Sequence, residues 1–167
     1  MSIGIIFQHF WLDQTSELEQ NVYRNTNKLI EDLPSSVEVM TLGITVDTIL
    51  TPIKNKFSSI VEYKEMDASK IVLQKWIQDK GINEIYIAGL HFNCCVMNCT
   101  TVLKDIANEL DLGWGNDFNV KVIEECTISL HENEKEPCKL EDTKLYMDCS
   151  LVKPWLVKSD IVLERVK

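Results

Sequence analysis

Among the six cysteines and three histidines of this 167-residue chain, one stretch brings both residue types together: Ala88-Gly89-Leu90-His91-Phe92-Asn93-Cys94-Cys95-Val96. It follows the apolar, β-prone run from Ile85 to Leu90 and leads into Val96, Cys99, Leu103, Ala107 and Leu110, which recur at helical spacing. Cys95 is therefore expected in the first turn of a helix, where unpaired N–H groups and the positive dipole end favour a thiolate. A thiolate there can attack a carbonyl carbon, and the same N–H groups can hold the oxyanion that forms. The plainer reading makes Cys94, Cys95 and Cys99 small buried apolar residues, the common state of an unpaired cysteine. Cys99, one turn deeper than Cys95, is read as packing.

Thiol chemistry needs a base to take the proton and an acid to return it. In an open parallel sheet the ligand sits beyond the carboxyl ends of the strands, so the residues just past each strand are the candidates. These are Gln8 and His9, Lys64, His91 to Cys95, and Glu124 to Cys126. His9 could pair with Cys95, His91 precedes its helix, and Glu125 ends the fifth strand; each taken alone also fits a solvated loop. Lys64 has Lys70, Lys75 and Lys80 nearby, and an exposed lysine is the default state of that residue.

The elements that must position these groups alternate along the whole chain. Ser2 to Gln8 reads as a strand; Ser16 and Glu19 form a capping box for a helix with Leu18, Val22, Leu29 and Leu33 on one stripe, stopped by Pro34. Val37 to Leu42 is a second strand, Gly43 to Phe57 an irregular connection, and Ser59 to Tyr63 a third strand. A helix capped by Asp67, with Ala68, Ile71, Val72, Trp76 and Ile77 on one face, ends at Gly81. After the strand and helix around Cys95, Asn119 to Ile123 is a fifth strand and residues 130–139 an exposed polar loop. A helix carrying Leu145, Cys149 and Val152 runs to Pro154, and Asp160 to Val166 closes as a sixth strand. The pattern predicts a single α/β domain over residues 1–167, three-layered, with a mostly parallel six-stranded sheet of Rossmann-like topology and helices on both faces.

Composition narrows the partners. With 17 basic and 26 acidic residues the formal charge is −9, which repels a nucleic-acid backbone. The apolar opening lacks a basic n-region and nothing approaches the roughly 20 apolar residues of a membrane span, so a cytoplasmic protein with reduced cysteines is expected. No glycine-rich loop follows the first strand, where Phe10 and Trp11 stand instead as candidates for a pocket wall, a subunit contact or core. His91, Cys94 and Cys99 lack the spacing of a zinc knuckle. Neither a cofactor nor a metal is expected, and the partner is a small molecule.

The stretch from Ala88 to Val96 resembles the isochorismatase-like cysteine hydrolases, in which a glycine ends a strand and the nucleophilic Cys, followed by Val, stands six residues on. Val122 to Ser129 is similar to that family's next strand and its acidic, small-residue end. Phe7-Gln8 and Phe10 resemble the end of its first strand, and Lys64 stands before a helix leading to Gly81-Ile82, as the family's catalytic Lys does. The resemblance implies Cys95 as nucleophile, Lys64 as its Lys, an amide or similar small substrate, and assembly into a homo-oligomer, with Trp114 and Trp155 as possible contact residues. The family's first-strand Asp does not carry over: Ile6 stands in its place if Gln8 aligns with the glutamine two residues beyond that Asp, and Gln8 itself on the other register. His9, His91 and Glu125 are then the groups that could replace it, with His9 taken as the catalytic candidate and Gln8, Phe10, His91, Phe92, Asn93, Cys94 and Glu125 as the binding set. Two readings follow. One is a cysteine hydrolase of small molecules, supported by Cys95, Val96 and Lys64. The other is a catalytically degenerate binding or assembly protein, supported by the missing Asp.

Overall fold

The computed structural model describes residues 2–10, 16–65, 69–130, 137–138 and 155–167. In chain order they form β1 (Ser2–Gln8), α1 (Glu17–Asp32), β2 (Glu38–Leu42), α2 (Asp47–Lys56), β3 (Ser59–Tyr63), α3 (Lys70–Lys80), β4 (Ile82–Gly89), α4 (Met97–Glu109) and β5 (Asn119–Ile123). Three two-residue strands and a last helix follow: β6 (Ser129–Leu130), β7 (Pro137–Cys138), β8 (Leu156–Val157) and α5 (Ser159–Arg165). The main sheet has the order β3-β2-β1-β4-β5-β8, with every neighbouring pair parallel. β6 and β7 pair separately and antiparallel.

The strand sequences are nearly all apolar because both faces of the sheet are covered. Along β1, Ile5 and Phe7 point into a core built with Val22, Leu29 and Ile30 of α1, Ile49 and Ile53 of α2, and Val162 of α5. Ile6 points the other way, into a core with Leu73 and Trp76 of α3 and Cys99, Leu103 and Ile106 of α4. The result is the three-layer α/β sandwich that the alternating pattern predicts.

Local signals set most boundaries. At α1 the Glu19 N–H donates to Ser16 Oγ at 3.1 Å and the Ser16 hydroxyl donates to the Glu19 carboxylate at 3.0 Å, a closed capping box. At the end of α3, Gly81 takes the left-handed conformation, φ 62°, that favours glycine.

Four expectations are corrected. The stretch from Gly43 to Phe57 is not irregular: Ile49 and Ile53, one turn apart and both fully buried, hold α2 in place despite Pro52 inside it. On α3 the buried residues are Leu73, Trp76 and Ile77, whereas Ile71 is 82% exposed, because it lies two positions, about 200° around the helix, from Leu73. That helix is capped by Ser69, whose Oγ accepts the Val72 N–H at 3.4 Å; Asp67 and Ala68 lie outside the described residues. Finally, the sixth strand is Leu156–Val157, and the chain from 159 to 165 is helical. Val162 is buried and Leu163 and Val166 pack against the core while Ile161 is exposed, which is helical spacing and not alternation.

α5 is stapled to the sheet by Arg165, whose Nε and Nη2 donate to the Glu84 carboxylate at 3.1 and 2.6 Å. The guanidinium holds the Glu84 carboxyl below the usual carboxylate range, and the Tyr86 hydroxyl donates to the same group. Of the loop expected over 130–139, the described residues, Leu130 and Pro137–Cys138, lie in strands: Pro137–Cys138 pairs with Ser129–Leu130. The helix expected around Leu145, Cys149 and Val152 lies outside the described residues. Among the described residues no helix is long and apolar enough to cross a membrane.

Candidate active site

The carboxyl ends of the two central strands, β1 and β4, build the site. Beyond Gln8 the chain makes a clasp: the Gln8 carbonyl accepts the Leu90 N–H at 3.2 Å, and the His9 N–H donates to the Leu42 carbonyl of β2 at 2.6 Å. His9 is thereby held from both sides, with φ 55°, in the left-handed region. A β-carbon makes that conformation costly, by about 1 kcal/mol or more, and such strain persists where the surrounding structure enforces it.

On β4 the chain leaves Gly89 through a cis peptide between Leu90 and His91 and enters a wide helical turn, Phe92–Val96, before α4 begins. Cys95, expected in the first turn of a helix, lies in this π turn, which leads directly into α4. The His91 carbonyl accepts the N–H groups of both Cys94, at 3.0 Å, and Val96, at 3.3 Å. The turn is anchored from the far side by the Phe92 N–H, which donates to the Ile128 carbonyl at 2.7 Å. π turns inside helices occur frequently at functional sites, because the extra residue re-aims a side chain.

The two clasps bring Cys95 Sγ to 3.4 Å from His9 Nδ1, across 86 residues of sequence. Both side chains are half-buried. An imidazole at this distance can take the thiol proton, and the imidazolium that results favours the thiolate. Two buried neighbours, Cys99 and His91, stay neutral. Burial, assisted by negative charge at Cys95, pushes the Cys99 thiol up to about 12. Burial, with a contribution from positive charge at His9, pushes His91 down to about 4.

The depression of His91 gives a stability prediction. Its folded value lies below the ordinary 6.5, so the unfolded chain binds the proton more readily. The stability it contributes is complete above about pH 6.5 and is lost as pH falls from there toward 4, on the order of 3 kcal/mol over that window. Urea unfolding of the native chain and of His91→Asn is expected to show a steeper loss in the native chain between pH 7 and pH 4.5. Parallel curves would show that His91 is not desolvated.

The remaining candidates are distributed unequally. Gln8 is fully buried, its main-chain carbonyl serving the clasp. Cys94 is exposed, and the backbone of Asn93 lies within the π turn. Phe10 is not on a pocket wall: it is fully buried, edge-on to Tyr23 with ring centroids 5.3 Å apart. Phe92 is also fully buried, among the side chains of α3 and α4, and only its N–H faces the site's framework. The Glu125 carboxylate accepts the Ser159 N–H at 3.1 Å, at the start of α5. Lys64 is exposed just past β3, an edge strand separated from β4 by β2 and β1. Ile6 is fully buried in the core formed with Phe92, Val96 and Cys99. Trp11 lies outside the described residues. Sequence reasoning missed the Ile128 carbonyl, for which no side-chain signal exists. Among the described residues no group of three or more His, Cys, Asp or Glu side chains is arranged to hold a metal ion.

No family model matches the sequence, and no curated protein matches it. Among solved structures the chain is similar to the MAR1 ribonuclease from Caenorhabditis elegans, with a TM-score of 0.55 and 14% identity over 97% of this chain and 79% of that chain. At that identity the likeness is one of fold: the two proteins share an α/β architecture with a parallel sheet covered on both faces.

Proposed function

We propose that this protein is a small-molecule cysteine hydrolase of the isochorismatase-like type, in which His9 replaces the usual first-strand Asp. The observation that carries this reading is the contact of 3.4 Å between Cys95 Sγ and His9 Nδ1 at the carboxyl ends of adjacent central strands. The strained backbone of His9 and the resemblance of residues 88–96 to that family support it independently.

In this reading His9 Nδ1 takes the Cys95 proton and Sγ adds to the carbonyl carbon of an amide or related small substrate. The carbonyl π electrons move to oxygen. As that oxyanion collapses, the bond to the leaving nitrogen breaks and the imidazolium donates its proton there, leaving an acyl-cysteine. His9 then deprotonates water, which adds to the acyl carbon; collapse expels the thiolate and releases the acid. Lys64, exposed just past the edge strand β3, serves substrate charge in this reading. The reading of the sequence extends the proposal to a reduced, cytoplasmic setting, and the family resemblance extends it to a homo-oligomer.

A second reading, that of a catalytically degenerate binding or assembly protein, is favoured by one observation: Ile6, where the family's Asp would stand, is a core residue. Alkylation with iodoacetamide as a function of pH, read by mass mapping in the native chain and in Cys94→Ala and Cys95→Ala variants, separates the two. The hydrolase reading expects Cys95 to react with an apparent pKa below the roughly 8.5 of a free thiol, and faster at neutral pH than exposed Cys94. Equal rates at the two positions would leave only the binding reading.

A further inference from the structure

The contact between Cys95 and His9 depends on how closely β1 and β4 approach at their carboxyl ends, and one residue controls that approach. Gln8 of β1 pairs with Gly89 of β4, and the Gln8 carbonyl receives the Leu90 N–H at 3.2 Å. A β-carbon at position 89 would stand 2.1 Å from the Gln8 carbonyl oxygen, 2.9 Å from its carbon and 3.0 Å from its nitrogen. These are backbone atoms, which cannot rotate away as the end of a side chain does. Nor can β1 yield sideways without cost, because on its other edge Gln8 pairs with Leu42 and the next residue, His9, donates to the Leu42 carbonyl.

We infer that Gly89 is a positioning residue for the pair: the bare backbone there lets the Gln8-His9 peptide sit against the start of the Cys95 turn. The inference rests on the reading of Cys95 and His9 as the reacting pair. A methyl group at 89 forces the Gln8-His9 peptide away from Leu90, and an Sγ to Nδ1 contact of 3.4 Å does not survive a displacement of about 1 Å. The loss falls on His9 first, since its backbone is the strained element of the clasp.

The test uses Gly89→Ala, with Gly81→Ala as control. Gly81 also has a positive φ, 62°, but a β-carbon there meets nothing within 4 Å, so that substitution strains the backbone far from the pair without displacing a strand. Iodoacetamide alkylation of Cys95 is followed from pH 5 to 9. Gly89→Ala is expected to move the midpoint up toward the roughly 8.5 of a free thiol and to lower the rate at pH 7 about tenfold. Gly81→Ala is expected to lower the melting temperature and leave the midpoint where it is. Adding His9→Ala to Gly89→Ala is expected to cost little more, because both changes remove the same contact.

An alanine variant with a native midpoint overturns the inference, as does full additivity with His9→Ala. An alanine variant that fails to fold at all also overturns it, since the glycine then serves the whole sheet and not the pair. If His9→Ala alone leaves the native midpoint unchanged, the reading of the pair has failed; if that variant shifts it and Gly89→Ala does not, only the role of Gly89 has failed.

Discussion

Replacing His9 with alanine is expected to slow acylation of Cys95 at pH 7 by an amount that depends on the leaving group. With p-nitrophenyl acetate, whose phenolate leaves without a proton, the loss reflects the thiolate population alone. A thiol returned to a pKa of about 8.5 is only a few per cent ionised at neutral pH, so the rate falls roughly 30-fold. With the matching p-nitroanilide the nitrogen must be protonated as it leaves. The variant then loses the acid as well as the base, and the rate falls by roughly 10³-fold or more. Two substrates thus separate the two roles assigned to one imidazole. Burst kinetics on native and variant chains, with Cys95→Ala as the blank, provide the measurement. Equal losses on ester and anilide would show that His9 tunes the thiol without donating to the leaving group. No loss on either would remove His9 from the chemistry.

The parts of this site that were legible in the sequence are those carried by side-chain type and spacing. The strand before Gly89, the helical stripe from Val96 to Ala107 and the capping box at Ser16 all express apolar periodicity or a local hydrogen bond. Cys95 stood out because the first pattern ends where the second begins. The π turn was not legible, because the signal for a helix start is the same whether the first carbonyl receives the fourth or the fifth N–H beyond it. His9 was readable as a candidate but not as the partner, since its approach to Cys95 is set by main-chain bonds to Leu42 and Leu90, to which side-chain identity is nearly indifferent. Glu125 carries a second role that its residue type does not announce. A carboxylate at a strand end suits a site and a helix cap equally, and the cap at Ser159 appears only once α5 is known to be a helix. α5 resembles a strand because it is brief: its apolar run, Ile161 to Leu163, is too short to distinguish the two periods.

The proposal that Ile6, on one of the two registers, stands where the resembled family carries its acid can be tested by placing an acid there. Ile6 pairs with Met40 on one side and Ile87 on the other and has no exposed surface. Ile6→Asp removes a buried aliphatic side chain, at about 2–5 kcal/mol, and buries a carboxyl among Phe92, Val96 and Cys99, at about 1–3 kcal/mol more. The combined cost approaches the whole stability of an ordinary domain, and the melting temperature is expected to fall by about 10–20 °C. Desolvation raises the folded pKa of the new carboxyl above its unfolded value of about 3.9, so the folded state holds the proton more tightly. The deficit relative to the native chain is therefore smallest below pH 4 and grows as pH rises from there, whereas Ile6→Asn, which does not titrate, shows a deficit independent of pH. Thermal melts of both variants at pH 3.5 and pH 7 make the comparison. A cost of this size would mean that the core has closed over the position, which leaves His9, one residue beyond the glutamine that ends the strand, as the group proposed to carry the proton. An Asp accommodated at native stability, with faster acylation of Cys95, would mean the opposite: the acid's site is still open, and His9 is a neighbour of the thiol, not its base.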